Sequence, residues 1–134
     1  MDEASIIQYL IDTFDDVQVA ADDGNSFFFH GPDRKMPFAT LVTRDDYDHA
    51  SHLDRPGVFR LNIGVGKETF LSLFGAPPSR PEAGGAAEPG YDFTALDRIM
   101  PHPVYGARFW VCGLNPGETT FQTVRPLLAG DPLG

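Results

Sequence analysis

Polar and apolar residues alternate along one segment near the middle of the chain, RPGVFRLNIGV. Phe59, Leu61 and Ile63 take every second position, and Arg60 and Asn62 stand between them. Because the side chains of a β-strand point alternately to its two faces, this pattern predicts a strand that buries its apolar face. Arg60 and Asn62 then share the other face, either as part of a binding site or as a solvated surface.

Two segments predict helices that pack against a sheet. The first, SIIQYLIDTF, can be capped by Asp2 or Ser5. Its apolar stripe consists of Ile6, Ile7, Leu10, Ile11 and Phe14. The second, KETFLSLFG, ends at Gly75 as a C-cap. Its inward residues are Phe70, Leu73 and Phe74.

Two further helices are predicted in the last third of the chain. The segment YDFTALDRIM predicts a short helix capped by Asp92. Thr119 and Gln122 have the spacing of a capping box that leads into a last helix. The inward residues of that helix are Phe121, Val124 and Leu128. Pro126 weakens the prediction, because an interior proline removes a backbone hydrogen bond.

Strand patterns occur on both sides of the middle segment. VQVAA and NSFFFH flank a turn that ends in Gly24, which predicts a β-hairpin. FATLVT, residues 38–43, predicts a third strand. A rigid turn, PHPVYG, leads into a last strand, ARFWVCGL, in which Arg108 and Trp110 share one face.

The order of these elements is helix, about four strands, helix, long loop, strand and helix. That order is typical of an α+β fold with a mostly antiparallel sheet of about five strands and helices packed on one face. The 134 residues suit a single domain, 1–134. Residues 77–90 are rich in Pro and Gly, which predicts a mobile loop. The other face of the sheet is then open, and Arg60 and Asn62 point to it.

Charge and composition narrow the classes of function. The chain has 19 acidic and 10 basic side chains, and its net charge of −9 repels nucleic-acid phosphates. Its apolar runs are far shorter than the roughly 20 residues of a membrane span, and its first residues do not resemble an export signal. We therefore expect a cytoplasmic protein without membrane contact. Cys112 lies in an apolar run, which predicts a buried thiol rather than a nucleophile.

The candidate ligand-binding residues lie on the open face of the predicted strands. Arg60 and Asn62, about 7 Å apart at this spacing, can together hold a carboxylate or a carbonyl group. The alternative is a surface arginine paired with one of the many acids. Arg108 and Trp110 can border the same face as a cation and a stacking wall. Trp110 can equally complete the core.

Histidines supply the candidates for proton transfer and for metal binding. His102 stands between two prolines near Tyr105. This rigid placement suits either acid/base catalysis, with Tyr105 as the second candidate, or plain turn geometry. His49 and His52 lie among aspartates, but a third defined ligand is missing, so we expect no metal site. We interpret His30 as a residue at the end of a strand.

Sequence motifs for common cofactors are missing. GVGKE lacks the glycine spacing of a phosphate-binding loop. The sequence also contains no Gly-x-Ser-x-Gly, His-Glu-x-x-His or Cys-x-x-Cys motif. We therefore expect no cofactor, and we expect any catalysis to be cofactor-free acid/base, isomerisation or cyclisation chemistry.

Three longer segments carry a family resemblance: FFFHGPDRKMPFATLVTRDDYD, SHLDRPGVFRLNIGVGKETFLSLFG and HPVYGARFWVCGLNPGETTF. Together they resemble a DUF6194-like family of small, mainly actinobacterial proteins of unknown function. The order of elements is more distantly similar to the MmcQ/YjbR group, whose fold resembles that of the frataxin-like CyaY proteins. The distant resemblance implies a compact α+β domain, a suggested nucleic-acid-binding role and an occurrence beside antibiotic-biosynthesis genes.

The sequence supports three hypotheses of function. The first is a protein that binds an unknown small molecule on the uncovered sheet face, with the 77–90 loop as a lid, and acts as an accessory enzyme of secondary metabolism. The second is a nucleic-acid-binding or regulatory module, which the scattered basic residues argue against. The third is a protein-interaction domain. Monomer and homodimer are both compatible with the sequence.

Overall fold

The computed structural model describes residues 2–14, 16–22, 24–30, 37–44, 50–75 and 92–128. The helices in these ranges are α1 (Glu3–Thr13), α2 (Lys67–Phe74) and α3 (Glu118–Leu128). The strands are β1 (Val17–Asp22), β2 (Asn25–His30), β3 (Ala39–Val42), β4 (Arg60–Gly64), β5 (Ile99–Pro101) and β6 (Trp110–Leu114). The predicted lid at 77–90, His49 and the side chain of His30 lie outside the described part of the chain.

The strands form one antiparallel sheet in the order β1-β2-β3-β4-β6-β5. The predicted α+β fold is therefore confirmed. The β1–β2 hairpin turns at Gly24, whose φ of +86° is a conformation that glycine adopts without strain. The sheet has one strand more than expected, β5. This strand is only three residues long and ends in a proline, which a sheet tolerates at its edge.

The helices pack against one face of the sheet, as predicted. The strands contribute alternate residues to this apolar layer: Phe28, Ala39, Leu41, Leu61, Ile63 and Val111. The helices contribute Ile6, Leu10, Phe70, Phe121, Val124, Leu127 and Leu128. Ile11 was predicted to point inward and is 48% exposed. It follows Leu10 directly, and one residue turns a helix by about 100°, away from the buried stripe.

The opposite face is partly covered, whereas the sequence predicted an open one. A second apolar cluster lies there, between the sheet and the segments 50–58 and 92–98: Val42, Leu53, Phe93, Met100, Cys112 and Leu114. Arg55 joins the two segments, because its guanidinium donates to the carbonyls of Ser51 at 3.2 Å and of Thr94 at 3.0 Å. Cys112 is buried, as predicted.

Residues 92–98 do not form the predicted short helix. The Asp92 carboxylate accepts a hydrogen bond from the backbone N–H of Thr94 at 3.0 Å. This local bond is typical of a tight turn and competes with helix formation. Leu96 then pairs with Leu114 in an isolated bridge. The segment thus runs along the sheet as irregular backbone.

The start of α3 also differs from the prediction. The helix begins at Glu118, so Thr119 lies inside it and is not its cap. The Asp97 carboxylate, distant in sequence, accepts from the backbone N–H of Gly117 at 2.7 Å. The predicted inward residues Phe121, Val124 and Leu128 are buried. Pro126 lies in the last turn and does not interrupt the helix.

The ends of the other two helices agree with the prediction. Asp2 caps α1, because its carboxylate accepts from the backbone N–H of Ser5 at 2.8 Å. Gly75 follows α2 with a φ of +79°, a conformation that favours glycine. Within the described ranges, no helix has the length and apolar character needed to cross a bilayer.

Candidate functional site

A pocket of about 380 Å³ opens on the sheet face opposite the helices. The six candidate residues from the sequence all line it: Arg60, Asn62, His102, Tyr105, Arg108 and Trp110. Five further residues complete the described lining: Phe27, Pro37, Thr40, Val42 and Val104. The fold thus brings the candidate residues together, and their roles in binding or catalysis stay predictions.

Neighbouring strands form the floor of the pocket. In an antiparallel sheet, paired residues carry their side chains side by side on the same face. Thr40 of β3 pairs with Asn62 of β4, and Val42 pairs with Arg60. Sequence reasoning missed Thr40 and Val42. Setting FATLVT beside β4 in this register would have found both.

Arg60 is buried in the floor, whereas its place on an open strand face predicted an exposed side chain. Its accessible fraction is 2%. Its Nε donates to Asn62 Oδ1 at 2.9 Å, and its Nη1 donates to Ser51 Oγ at 3.0 Å. Ser51 belongs to the segment that covers the adjacent part of the sheet. This segment buries the guanidinium. The sequence of residues 50–58 has no periodic pattern from which its position over the sheet could have been predicted.

Asn62 extends the hydrogen bonds across the floor. It is 3% exposed, and its Nδ2 donates to Thr40 Oγ1 at 3.0 Å. Because its Oδ1 accepts from Arg60, both ends of the side-chain amide are fixed by hydrogen bonds. The two bonds also identify which end of the amide is the oxygen and which is the nitrogen. A hydroxyl that accepts still has its own proton to donate. Thr40 therefore presents a donor in the pocket.

His102 forms part of the pocket wall and is 3% exposed. Its Nδ1 accepts from the backbone N–H groups of Val104 and Tyr105, each at 3.0 Å. An atom that accepts two N–H bonds carries no proton, so these contacts fit the neutral ring with its proton on Nε2. Nε2 lies 3.5 Å from Arg60 Nη2. His102 thus shapes the turn with one nitrogen and turns a donor toward Arg60 with the other.

Tyr105 and Arg108 lie at the rim of the pocket, and both are exposed. The Tyr105 ring is 52% exposed, and its centroid lies 5.1 Å from that of His102. Both residues are positioned by the turn after His102, which is stabilised by the hydrogen bonds to Nδ1 of His102. The rim therefore carries one phenol and one guanidinium that can meet a ligand as it enters.

Arg108 belongs to a 3-10 turn (Gly106–Arg108), whereas the sequence placed it in a strand. The strand begins only at Trp110, because Phe109 has a left-handed conformation with φ of +66°. Phe109 packs on the helix side, with its ring centroid 5.7 Å from that of Phe70. Arg108 and Trp110 nevertheless both line the pocket.

Trp110 lies against the backbone of Gly64, its partner across the β4–β6 pair. A Cβ atom placed on Gly64 would lie 3.1 Å from two carbons of the indole ring. The absence of a side chain at Gly64 therefore lets the indole lie close to the sheet. Trp110 is half-buried and lines the pocket. Its position is therefore compatible with both roles considered from the sequence, a wall of the pocket and a packing residue.

The charged side chains of the described pocket lining differ in sign from the net charge of the chain. The described lining contains two arginines and no carboxylate, although the whole chain has a net charge of −9. The charged side chains of the described lining are therefore both cationic, Arg60 and Arg108.

Among the described residues, three acids with lowered pKa values lie away from the pocket. Hydrogen bonds from Ser5 lower the pKa of Asp2, those from Thr94 lower the pKa of Asp92, and the backbone N–H of Gly117 lowers the pKa of Asp97. Each of these shifts is explained by a turn or a helix cap. Among the described residues, no group of three His, Cys, Asp or Glu side chains is placed to hold a metal ion.

A family model described as "Family of unknown function (DUF6194)" matches residues 1–130. No curated protein and no solved structure matches the chain significantly. The distant resemblance to the MmcQ/YjbR group therefore stays a prediction.

Proposed function

The chain belongs to the DUF6194 family of unknown function, and for this member we propose that the pocket binds a small organic molecule. The observation that carries the proposal is the convergence of three buried polar side chains, Arg60, Asn62 and His102, on one pocket. Small-molecule sites are typically concave, about 300 to 1,000 Å³ in volume and mostly apolar, with a few fixed polar groups. A pocket of about 380 Å³ with this lining fits that description.

The polar groups are held in place without a ligand, which supports the proposal. Arg60 is fixed by Ser51 and Asn62, and Asn62 is fixed in turn by Thr40. His102 is fixed by two backbone N–H groups. Side chains that are already ordered lose little conformational entropy when a ligand binds, so more of the interaction energy contributes to affinity.

The rest of the lining suits an apolar body attached to a polar group. Its apolar side chains are Phe27, Pro37, Val42, Val104 and Trp110. Aromatic side chains contact flat rings over a large area. A small molecule with one polar end and a ring or short hydrocarbon body therefore matches the pocket better than a fully polar one.

A second candidate function is cofactor-free acid catalysis on the bound molecule. The observation that favours it is the neighbouring position of His102 and Tyr105, with ring centroids 5.1 Å apart. Because Nδ1 of His102 accepts two backbone bonds, the ring offers a proton at Nε2 and no lone pair for base catalysis. We therefore propose His102 as a donor that polarises a carbonyl, with Tyr105 as a second donor.

Binding can be measured without a label, because Trp110 is the only tryptophan of the chain and lines the pocket. We expect small molecules with one polar end and a ring to change its fluorescence in a saturable way. The same molecules should raise the unfolding temperature, since they bind only the folded state. A fragment library of neutral, anionic and cationic compounds is the appropriate probe.

Two matched variants test where such molecules bind. Val104→Phe adds an aromatic ring inside the pocket, and Ile11→Phe makes the same change at an exposed position of α1. We expect the first to weaken binding at least about tenfold by occupying space and the second to leave it unchanged. A library without a saturable ligand, or ligands insensitive to Val104→Phe, would contradict the proposed function.

A further inference from the structure

We propose that the pocket selects molecules with a carbonyl group attached to a ring, and that the Thr40 hydroxyl donates a hydrogen bond to the carbonyl oxygen. Thr40 is then the residue that determines specificity. This role rests on the proposed function, because it names the chemical class of molecule that the pocket binds. It is carried by the direction of the hydrogen bonds in the floor and by the place of Thr40 in the lining.

The hydrogen bonds across the floor run in one direction, from Arg60 through Asn62 to Thr40. A guanidinium has only donors, so its bond with Asn62 turns the side-chain oxygen of Asn62 toward Arg60, at 2.9 Å from Nε. The amide nitrogen of Asn62 lies at the opposite end and donates to Thr40 Oγ1 at 3.0 Å. Because the Thr40 oxygen faces a donor in this bond, its own proton must point elsewhere.

The hydroxyl of Thr40 is the member of this row that a ligand reaches. The bond accepted from Asn62 is the only side-chain hydrogen bond that Thr40 makes within the described part of the chain. Thr40 is half-buried and lines the pocket, whereas Asn62 is only 3% exposed. The row of hydrogen bonds therefore ends at a hydroxyl whose proton can be donated to a molecule in the pocket.

A hydroxyl can donate or accept, and the bond from Asn62 makes Thr40 the better donor. This bond already uses one of the two lone pairs of the Thr40 oxygen. Hydrogen bonds in a row also polarise one another, so a hydroxyl that accepts becomes a stronger donor and a weaker second acceptor. A ligand oxygen that accepts is therefore favoured at this position over a ligand N–H or O–H. A carbonyl oxygen is such an acceptor and carries no proton of its own.

The position of Trp110 relative to Thr40 favours a ring next to the carbonyl group. Thr40 pairs with Asn62, and Gly64, two residues further along β4, lies under the indole of Trp110. Diagonal positions of this kind on neighbouring strands are about 7 to 8 Å apart. A ring that carries a carbonyl group can span this distance, with the ring against the indole and the oxygen at the hydroxyl.

The test compares ring ketones with alkenes in which C=CH₂ replaces C=O, so that the shape is kept and the acceptor is lost. The pairs are acetophenone with α-methylstyrene, 1-indanone with 1-methyleneindane, and 2-acetylnaphthalene with 2-isopropenylnaphthalene. Titration of the ¹⁵N-labelled protein, followed by NMR, gives the affinity of each compound. Because an alkene leaves water more readily than a ketone, the informative quantity is the ratio of the two affinities and its change on substitution.

Three threonine variants test the hydroxyl. Thr40→Val removes it and keeps the branched shape of the side chain. We expect the affinity of the ketones relative to the alkenes to fall about tenfold, because the carbonyl oxygen would then leave water without gaining a hydrogen bond. Thr40→Ser keeps the hydroxyl and should keep the wild-type ratio. Thr119→Val makes the same change at an exposed position of α3, on the helix side of the sheet, and should keep the ratio as well.

Asn62→Asp tests the direction of the hydrogen bonds without changing Thr40. A carboxylate at this position has no N–H, so the Thr40 hydroxyl should donate to it and no longer to the ligand. We expect the ratio to fall as it does in Thr40→Val, and this variant decides the question if Thr40→Val does not fold. The carbonyl ¹³C signal of labelled acetophenone gives a direct readout. In the bound state it should lie further downfield with the wild-type protein than with Asn62→Asp.

The outcomes separate the role of Thr40 from the proposed function. If no ketone and no alkene binds, the proposed function fails, and the role of Thr40 fails with it. If both series bind and Thr40→Val leaves the ratio unchanged, the pocket is a binding site and Thr40 is not its donor. The role of Thr40 is also wrong if Thr40→Ser or Thr119→Val lowers the ratio as much as Thr40→Val, or if Asn62→Asp leaves it unchanged.

Discussion

The two faces of the sheet are made by alternate residues of the same strands, and they are buried in different ways. On the helix face, Leu61 and Ile63 pack into a continuous apolar layer. On the pocket face, Arg60 and Asn62 of the same strand are buried just as completely, with 2% and 3% exposure. Their burial depends on hydrogen bonds to Ser51 and Thr40. Burial alone therefore does not distinguish a structural core from a candidate binding site.

The difference has an energetic meaning. An apolar side chain is stabilised by leaving water and by close packing, and neither depends on one particular partner. A buried guanidinium or amide must instead keep its hydrogen bonds, because losing a partner leaves a polar group without compensation. The helix face should thus respond to changes of volume, and the pocket face to changes of hydrogen bonding. Four substitutions test this comparison.

The largest effect is expected on the helix face. Leu61→Ala should lower the free energy of unfolding by about 2 to 5 kcal/mol, through lost burial and the cavity left under the helices. Urea denaturation followed by circular dichroism measures it. Ile11→Ala, at a position 48% exposed, is the control and should change stability by no more than about 0.5 kcal/mol. Equal effects at the two positions would contradict the assignment of the buried face.

A smaller but clear loss is expected at Arg60. Arg60→Met keeps an apolar stem of similar length and removes the donors to Asn62 and Ser51. We expect about 1 to 3 kcal/mol of destabilisation, the cost of leaving buried acceptors without their charged partner. A double-mutant cycle with Ser51→Ala should show that the two substitutions are not additive. A loss below about 0.5 kcal/mol would mean that Arg60 is exposed in solution.

Gly64→Ala should act mainly on the tryptophan. The added Cβ would lie 3.1 Å from the indole, so Trp110 must move toward the pocket. We expect a shift in its fluorescence emission and a stability change of about 1 kcal/mol. Gly66→Ala is the matched control, because a Cβ there meets no atom within 4 Å. The same emission shift in both variants would show that the indole does not lie against Gly64.

The smallest effect concerns Asp97, which links the pocket-side segment 92–98 to α3 on the helix side. The hydrogen bond from Gly117 holds the pKa of the Asp97 carboxyl below its ordinary value of about 3.8. The folded protein therefore binds this proton less readily than the unfolded chain. The stabilisation is present above the unfolded pKa and is lost as the pH falls through the lower folded pKa.

Asp97→Asn should remove that part of the pH dependence. Unfolding temperatures of the wild-type protein and the variant should differ slightly at pH 7 and converge in acid. Asp22→Asn, at an exposed position at the end of β1, serves as the control. A difference between wild type and Asp97→Asn that grows on acidification would contradict the role of the carboxylate.

The sequence by itself determined the elements whose patterns are local. Alternation identified β4 and its two faces, helical spacing identified α1, α2 and α3, and Gly24 and Gly75 marked a turn and a helix end. Each depends on backbone geometry or side-chain direction within a few residues. The same alternation put Arg60 and Asn62 on one face. For that reason the sequence placed these candidate residues on the face of the sheet where the pocket lies.

Only the tertiary structure decided how that face is buried. Segments 50–58 and 92–98 have no periodicity, yet they cover part of the face and bring Ser51 to Arg60. The tautomer of His102 could not be predicted from the sequence either, because backbone N–H groups fix it in the folded turn. The turn that carries Arg108 is held by local hydrogen bonds of His102, which no repeating pattern in the sequence marks. Strand β5 and the two covering segments are held by contacts between residues distant in sequence, and such contacts leave no repeating pattern along the chain.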